Sequence, residues 1–141
     1  MWSYEASQEA TAPPERLWQL YSDVGTWPSW DRANGYATLD GPFRAGTKGA
    51  VKFTGQDPLP FTLVAVDRSR SFADETDLGD VVVRFEHRLE AGAGTTTITT
   101  RVTISGPAAD TLGPELGPQV TADIPAQLAA IDALALSGTD R

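Results

Sequence analysis

Residues 81–105, VVVRFEHRLEAGAGTTTITTRVTIS, alternate apolar with polar side chains on both sides of a glycine-containing link. A period of two marks a strand with one covered face, and two such runs around a short turn predict a β-hairpin. With AGAG as a four-residue loop, Glu90 stands opposite Thr95, His87 opposite Ile98, Phe85 opposite Thr100, Val83 opposite Val102 and Val81 opposite Ile104. The reverse face then pairs Arg84 with Arg101, Glu86 with Thr99 and Arg88 with Thr97. One face is almost wholly apolar and the other charged or threonine-rich, a separation that a one-residue slip would scramble. His87, the single histidine of the chain, therefore belongs to the covered face.

The same pattern extends upstream. Reading DLGD as the next loop places Thr76 opposite Val81, Asp74 opposite Val83, Phe72 opposite Phe85 and Arg70 opposite His87. FTLVAVD adds Phe61, Leu63 and Ala65 to the covered face, although Val64 and Val66 then point outward and an odd-length turn or a bulge would reverse that strand. YATLDG and GAVKFTG flank GPFRAGTKG, a glycine-rich strand connection expected to line an entrance rather than to cradle phosphate, since it carries neither nucleotide-binding glycine pattern. Brief links between six successive short strands argue for an antiparallel meander.

At the N-terminus Trp2, Tyr4 and Ala6 alternate with Ser3, Glu5 and Ser7, which predicts one further strand. TAPPERLWQLYSDV predicts a helix with Thr11 as its cap and Pro13 or Pro14 in the first turn, where no N–H is required. GTWPSWDRANG predicts a second, brief helix with Pro28 in its first turn. At the other end Val120, Ile124, Leu128, Ile131 and Ala135 share one helical face, an amphipathic helix that needs a sheet to cover. Pro114, Pro118 and Pro125 should bend or break its first half.

Composition narrows the function classes. A chain of 141 residues suits a single domain, 1–141, and buries roughly 68–70% of its unfolded surface. The net charge is -8 with only two lysines, Lys48 and Lys52, which disfavours nucleic acid and anionic membranes as partners. Cysteine is absent, removing thiolate metal sites and thiol nucleophiles, and a lone histidine makes a transition-metal site improbable. No cofactor is indicated. DLGD lacks calcium-loop spacing, and no G-x-S-x-G occurs. MWSYEASQEA is polar and acidic, unlike a signal peptide, and no run of about 18 apolar residues is present. The expectation is a cytoplasmic protein without membrane insertion, monomeric or homodimeric; Trp2 and Tyr4 could sit at a dimer edge.

The order strand, two helices, six strands and long C-terminal helix resembles the polyketide cyclase/dehydrase-like branch of the START/Bet v 1-like superfamily, also called SRPBCC proteins. The likeness is carried by ERLWQLYSDVGTWPSWD, LDGPFRAGTKG, FEHRLEAGAGTTTITTRVTISGP and DIPAQLAAIDALA, from about residue 2 to 136. The resemblance implies an α+β helix-grip fold: a curved antiparallel sheet wrapped around the C-terminal helix, with a cavity between them. It also implies aromatase/cyclases, lipid and hormone carriers, and co-chaperone-like interaction modules as relatives, so the likeness specifies no single reaction.

Three readings follow. The first is a binder of a small hydrophobic ligand, aromatic, polyketide-like or lipid, in that cavity. Its apolar walls would include Phe53, Phe61, Phe72, Phe85, Leu128 and Ile131, with Trp27 and Trp30 either at the mouth or pinning the short helix to the sheet. Its polar contacts would be His87, Arg70, Asp74 and Thr100. The second is a polyketide cyclase or dehydratase with His87 as acid/base, although Asp74 lies about two residue pairs away, too far to orient the ring directly. The third is a protein-interaction module. An ordinary buried histidine remains the alternative to both roles of His87.

Overall fold

In a computed structural model, residues 1–137 are described; the last four residues of the expected 1–141 domain lie outside the described residues. Strand β1 (Trp2–Ala10) leads to helix α1 (Pro14–Tyr21), a 3-10 turn (Val24–Thr26) and helix α2 (Trp27–Trp30). Six strands follow: β2 (Asn34–Leu39), β3 (Lys48–Phe53), β4 (Leu59–Asp67), β5 (Ser71–Asp77), β6 (Val82–Ala91) and β7 (Thr96–Ser105). Helices α3 (Ala109–Thr121) and α4 (Ile124–Ser137) end the description. The strands form one antiparallel sheet in the order β1-β7-β6-β5-β4-β3-β2, so the meander closes by bringing the first strand beside the last. Helix α3 lies against β1 and β7, whereas α4 lies against β1, α1 and α2. This is the helix-grip architecture: one sheet face covered, one exposed, and helices closing the covered side.

Both central hairpins preserve the expected faces and correct the expected register. His87 pairs with Thr100, Phe85 with Val102 and Val83 with Ile104, while Phe72 pairs with His87 and Asp74 with Phe85. Each register is displaced by two residues because each turn is tighter than the four-residue loops AGAG and DLGD. Gly92 donates its N–H to the Thr95 carbonyl (2.8 Å) and Leu78 donates to Val81 (2.9 Å), so the chain reverses over Ala93–Gly94 and Gly79–Asp80. Two-residue turns need a residue at positive φ, and Gly94 (φ 81) and Gly79 (φ 93) supply it. A displacement of two leaves every side chain on its own face.

On β4 the expected face holds for Phe61 and Leu63, both buried, and then reverses. A bulge between Leu63 and Ala65 turns Ala65 outward, opposite Ala73, and brings Val66 inward, opposite Phe72. Gly49 of β3 answers a packing demand: a Cβ there would meet the Thr38 carbonyl and stand 2.8 Å from the Phe61 ring.

Thr11 does not cap α1. The helix begins beyond Pro13 with no side-chain cap, and the turn before it is clamped by Asp132 of α4, whose carboxylate accepts from the N–H groups of Thr11 and Ala12 at 3.1 Å. Arg16 adds bonds to the Ala135 carbonyl at 3.3 and 3.2 Å. The C-terminal helix does break, over Ala122–Asp123, just before Pro125 in the first turn of α4. Pro114 and Pro118 are accommodated inside α3. Thr121, not Val120, joins Ile124, Leu128, Ile131 and Ala135 on the buried face. Taken as one element, Ala109–Ser137 is long and apolar enough to cross a membrane; in this fold its apolar face covers the sheet.

Trp2 lies on the edge strand β1 and is half-buried. Its side chain lies across Gly113 and Gly117 of α3, where an added Cβ would stand 2.6 Å from the Trp2 Cβ at Gly113 and closer still to the indole at Gly117. Alanine is the better helix former by up to about 1 kcal/mol, yet Gly117→Ala should lower unfolding stability by about 1–3 kcal/mol through overpacking. In a Trp2→Ala background the same substitution should become neutral or stabilising. Urea denaturation of the four proteins measures this coupling, and additive effects would refute the contact.

Candidate functional site

The inner face of the sheet and the covering helices enclose a layer of aromatic rings. Trp18 and Tyr21 come from α1, Trp27 and Trp30 from α2, Phe61 from β4, Phe72 from β5 and His87 from β6; all are buried. Phe72 stacks on His87, with centroids 4.5 Å apart and planes at 18°. Trp27 stacks on Phe61 (5.7 Å) and on Phe72 (6.1 Å). Tyr21 meets Trp30 (5.5 Å) and Phe72 (5.3 Å) edge-on, and lies 5.0 Å from His87. Trp27 is oriented by an N–H bond to the Tyr21 carbonyl (2.9 Å), which ties the two short helices together. Rings therefore fill the space between the two short helices and strands β4–β6, Trp27 and Trp30 among them.

Polar atoms in this layer are few. The Thr100 hydroxyl is hydrogen-bonded to His87 Nδ1 at 3.3 Å, and the Tyr21 ring of α1 lies beside this β6–β7 pair, 5.0 Å from the His87 ring. Burial lowers the His87 pKa to about 3, leaving a neutral imidazole. Burial also holds the Tyr21 phenol above its ordinary range, opposed by the Thr100 hydroxyl. Asp74 faces the same interior and is buried; desolvation, reinforced by Glu75 and opposed by Arg84, pushes its pKa up to about 7.

The expected site residues divide accordingly. Trp27, Trp30, Phe61, Phe72, Asp74, His87, Thr100, Leu128 and Ile131 are buried, while Phe53 and Phe85 are half-buried against the same core. Arg70 is not with them. It is exposed in the turn between β4 and β5, because the two-residue displacement that brings Phe72 opposite His87 moves Arg70 past the strand end. Tyr21 was not among the expected site residues; its place on the apolar stripe of α1 was the available signal. Phe43, half-buried, is a second addition, edge-on to Trp18 (5.8 Å) and Phe72 (5.1 Å). Among the described residues no group of three or more His, Asp or Glu is placed to hold a metal ion.

Two surface depressions border this layer. One, about 130 Å³, sits on the exposed sheet face over Ala65 and Ala73, where Arg84 is already paired with Glu75 (3.0 Å) and Glu86 (3.2 Å). The other, about 420 Å³, is an open groove between α2 and α4 lined by Trp30, Arg32, Gln127 and Ala130 among others.

The opposed shifts of His87 and Asp74 have a measurable sign. His87, lowered from 6.5 to about 3, contributes stability at high pH that is lost as pH falls through that window. Asp74, raised from 3.8 to about 7, contributes stability at low pH that is lost as pH rises through its own. Where the windows overlap, the two slopes oppose. Asp74→Asn should therefore be more stable than the parent at pH 8 by about 2–4 kcal/mol, with the gain vanishing towards pH 4. His87→Phe should show the complementary trend, gaining most at acid pH. Denaturant melts at pH 4.5, 5.5, 6.5 and 8 test both, and a gain for Asp74→Asn that is constant across pH would contradict the assignment.

Comparison with known proteins agrees with the geometry. Among solved structures the chain is similar to Ara h 8.0201 (TM-score 0.77, 20% identity, 96% of this chain and 97% of that one). It is also similar to norcoclaurine synthase from Thalictrum flavum (TM-score 0.71, 16% identity, 95% and 86%). A third likeness is to the di-domain ARO/CYC BexL of the BE-7585A biosynthetic pathway (TM-score 0.75, 15% identity), of which it covers 46% against 94% of itself. At these identities the structures speak for the fold alone. No curated protein sequence matches. The sequence profile of one family, described as polyketide cyclase / dehydrase and lipid transport, matches residues 1–135, and the chain belongs to that family.

Proposed function

We propose that this protein binds a small, flat, apolar molecule carrying one neutral polar group, held in the aromatic layer between sheet and helices. The observation that carries this reading is the His87–Thr100 pair with Tyr21 against it: neutral hydrogen-bonding groups buried among rings. Ligand sites of this kind are mostly apolar with a few placed polar atoms. A neutral imidazole serves a hydroxyl or carbonyl as donor or acceptor, whereas a carboxylate ligand would meet no fixed positive charge there. The family's description, polyketide cyclase / dehydrase and lipid transport, supports an apolar ligand class. Because rings fill the layer, binding is by displacement of side chains.

One observation favours a second, catalytic reading of the same interior, and it concerns Asp74 rather than His87. A general acid or base works best with a pKa near the operating pH. Asp74, near 7, meets that condition and His87, near 3, does not. In a cyclase or dehydratase built on this interior, Asp74 would exchange the proton and His87 would hold the substrate oxygen.

Calorimetric titration with 2-naphthol and naphthalene separates the polar contact from apolar burial. The parent protein should bind both, 2-naphthol about tenfold more tightly, the worth of one hydrogen bond. His87→Phe and Thr100→Val should each narrow that gap while leaving naphthalene unchanged. Absence of saturable binding of either compound would end the ligand reading.

A further inference from the structure

We infer that Phe43 is a resident plug: its ring holds the place of a ligand's aromatic ring, and the loop that carries it swings out to admit one. The inference rests on the apolar-ligand reading above and adds the route and the ring subsite. Among the described aromatic contacts, Phe43 is the ring supplied by a loop, whereas its partners come from helices and strands. Its ring enters the layer beside Trp18 and against Phe72, the same ring that stacks on His87. Phe43, half-buried, thus contacts Phe72, which in turn contacts the buried His87.

The loop is built to move. Pro42, Arg44 and Ala45 are exposed on either side of the half-buried Phe43. The base is tied to the sheet: Asp40 donates to the Lys48 carbonyl, Gly46 to Leu63 and Leu63 to Thr47. Among the described residues the backbone of the tip makes only the local bonds from Arg44 to Pro42 and from Thr47 to Arg44. Gly41 and Gly46 flank it, and Gly46 already lies at φ 97 with open space where a Cβ would stand. Opening therefore breaks few backbone bonds and mainly withdraws one phenyl ring. The vacated place is walled by Trp18 and Phe72, which suits a benzene- or naphthalene-sized ring rather than a branched aliphatic chain.

A ligand that must first displace Phe43 binds with an affinity reduced by the fraction of open protein. Removing the ring abolishes that reduction. Phe43→Ala should bind naphthalene and 2-naphthol at least tenfold more tightly than the parent, Phe43→Leu by an intermediate factor, and Phe43→Trp more weakly than the parent. Circular dichroism establishes that each variant is folded, and Phe43→Leu carries the test if the alanine variant is not. Equal affinities across the folded variants would overturn the plug while leaving the ligand reading intact. Absence of binding in every variant would overturn both.

Discussion

Phe72 is the side chain around which the interior is organised. One face of its ring lies on His87, Trp27 stacks over it, and Trp18, Tyr21 and Phe43 approach it edge-on. Offset-stacked and edge-to-face contacts are the favoured aromatic geometries, so a single β5 residue fixes both short helices, the glycine-rich loop and β6 relative to one another. The sheet alone could not do this. Its apolar face needs a cover, and the cover is made of separate pieces that meet through this ring.

The same packing determines the charge state of the interior. His87 and Asp74 sit on the inner face of one apolar layer, and desolvation drives each towards its uncharged form, one pKa falling and the other rising. Between roughly pH 4 and 6.5 both are neutral, so the layer holds hydrogen-bonding capacity without fixed charge. The exterior is the reverse, with a net charge of -8. A neutral interior behind an acidic surface discriminates against anionic molecules at both stages, approach and burial.

Much of this was legible from residue order because face assignment depends only on parity. His87, Phe85, Asp74 and Phe72 fall on the covered face whatever the length of an even turn, so the inward set survived a register displaced by two. Contact identity does not depend on parity alone, and there the reading failed: the tight turns at Gly79 and Gly94 exchanged Arg70 for Phe72 as the neighbour of His87. The bulge after Leu63 could be suspected, because Val64 and Val66 would otherwise point outward, but not located, since Val64, Ala65 and Val66 are all apolar and carry no alternation to break. Tyr21 and Phe43 reach the site through tertiary packing from a helix and from a loop, which strand logic does not address. Whether rings fill a space or line it is likewise a property of packing, not of pattern.

The seating of Trp2 on the glycines of α3 bears on how the chain acquires this structure. β1 is the earliest strand, yet its sheet partner is β7, with Trp2 opposite Ile104, and its cover is a helix beyond residue 108. During synthesis the β2–β6 meander can assemble by local pairing as it emerges, while the first strand waits with an unpaired edge and an exposed indole. Closing that separation is a high contact-order step, slow by comparison with the hairpins. The pairing of β1 with β7 and the seating of Trp2 on α3 are therefore expected to follow the hairpins, with the chain most open to misassembly just before that step.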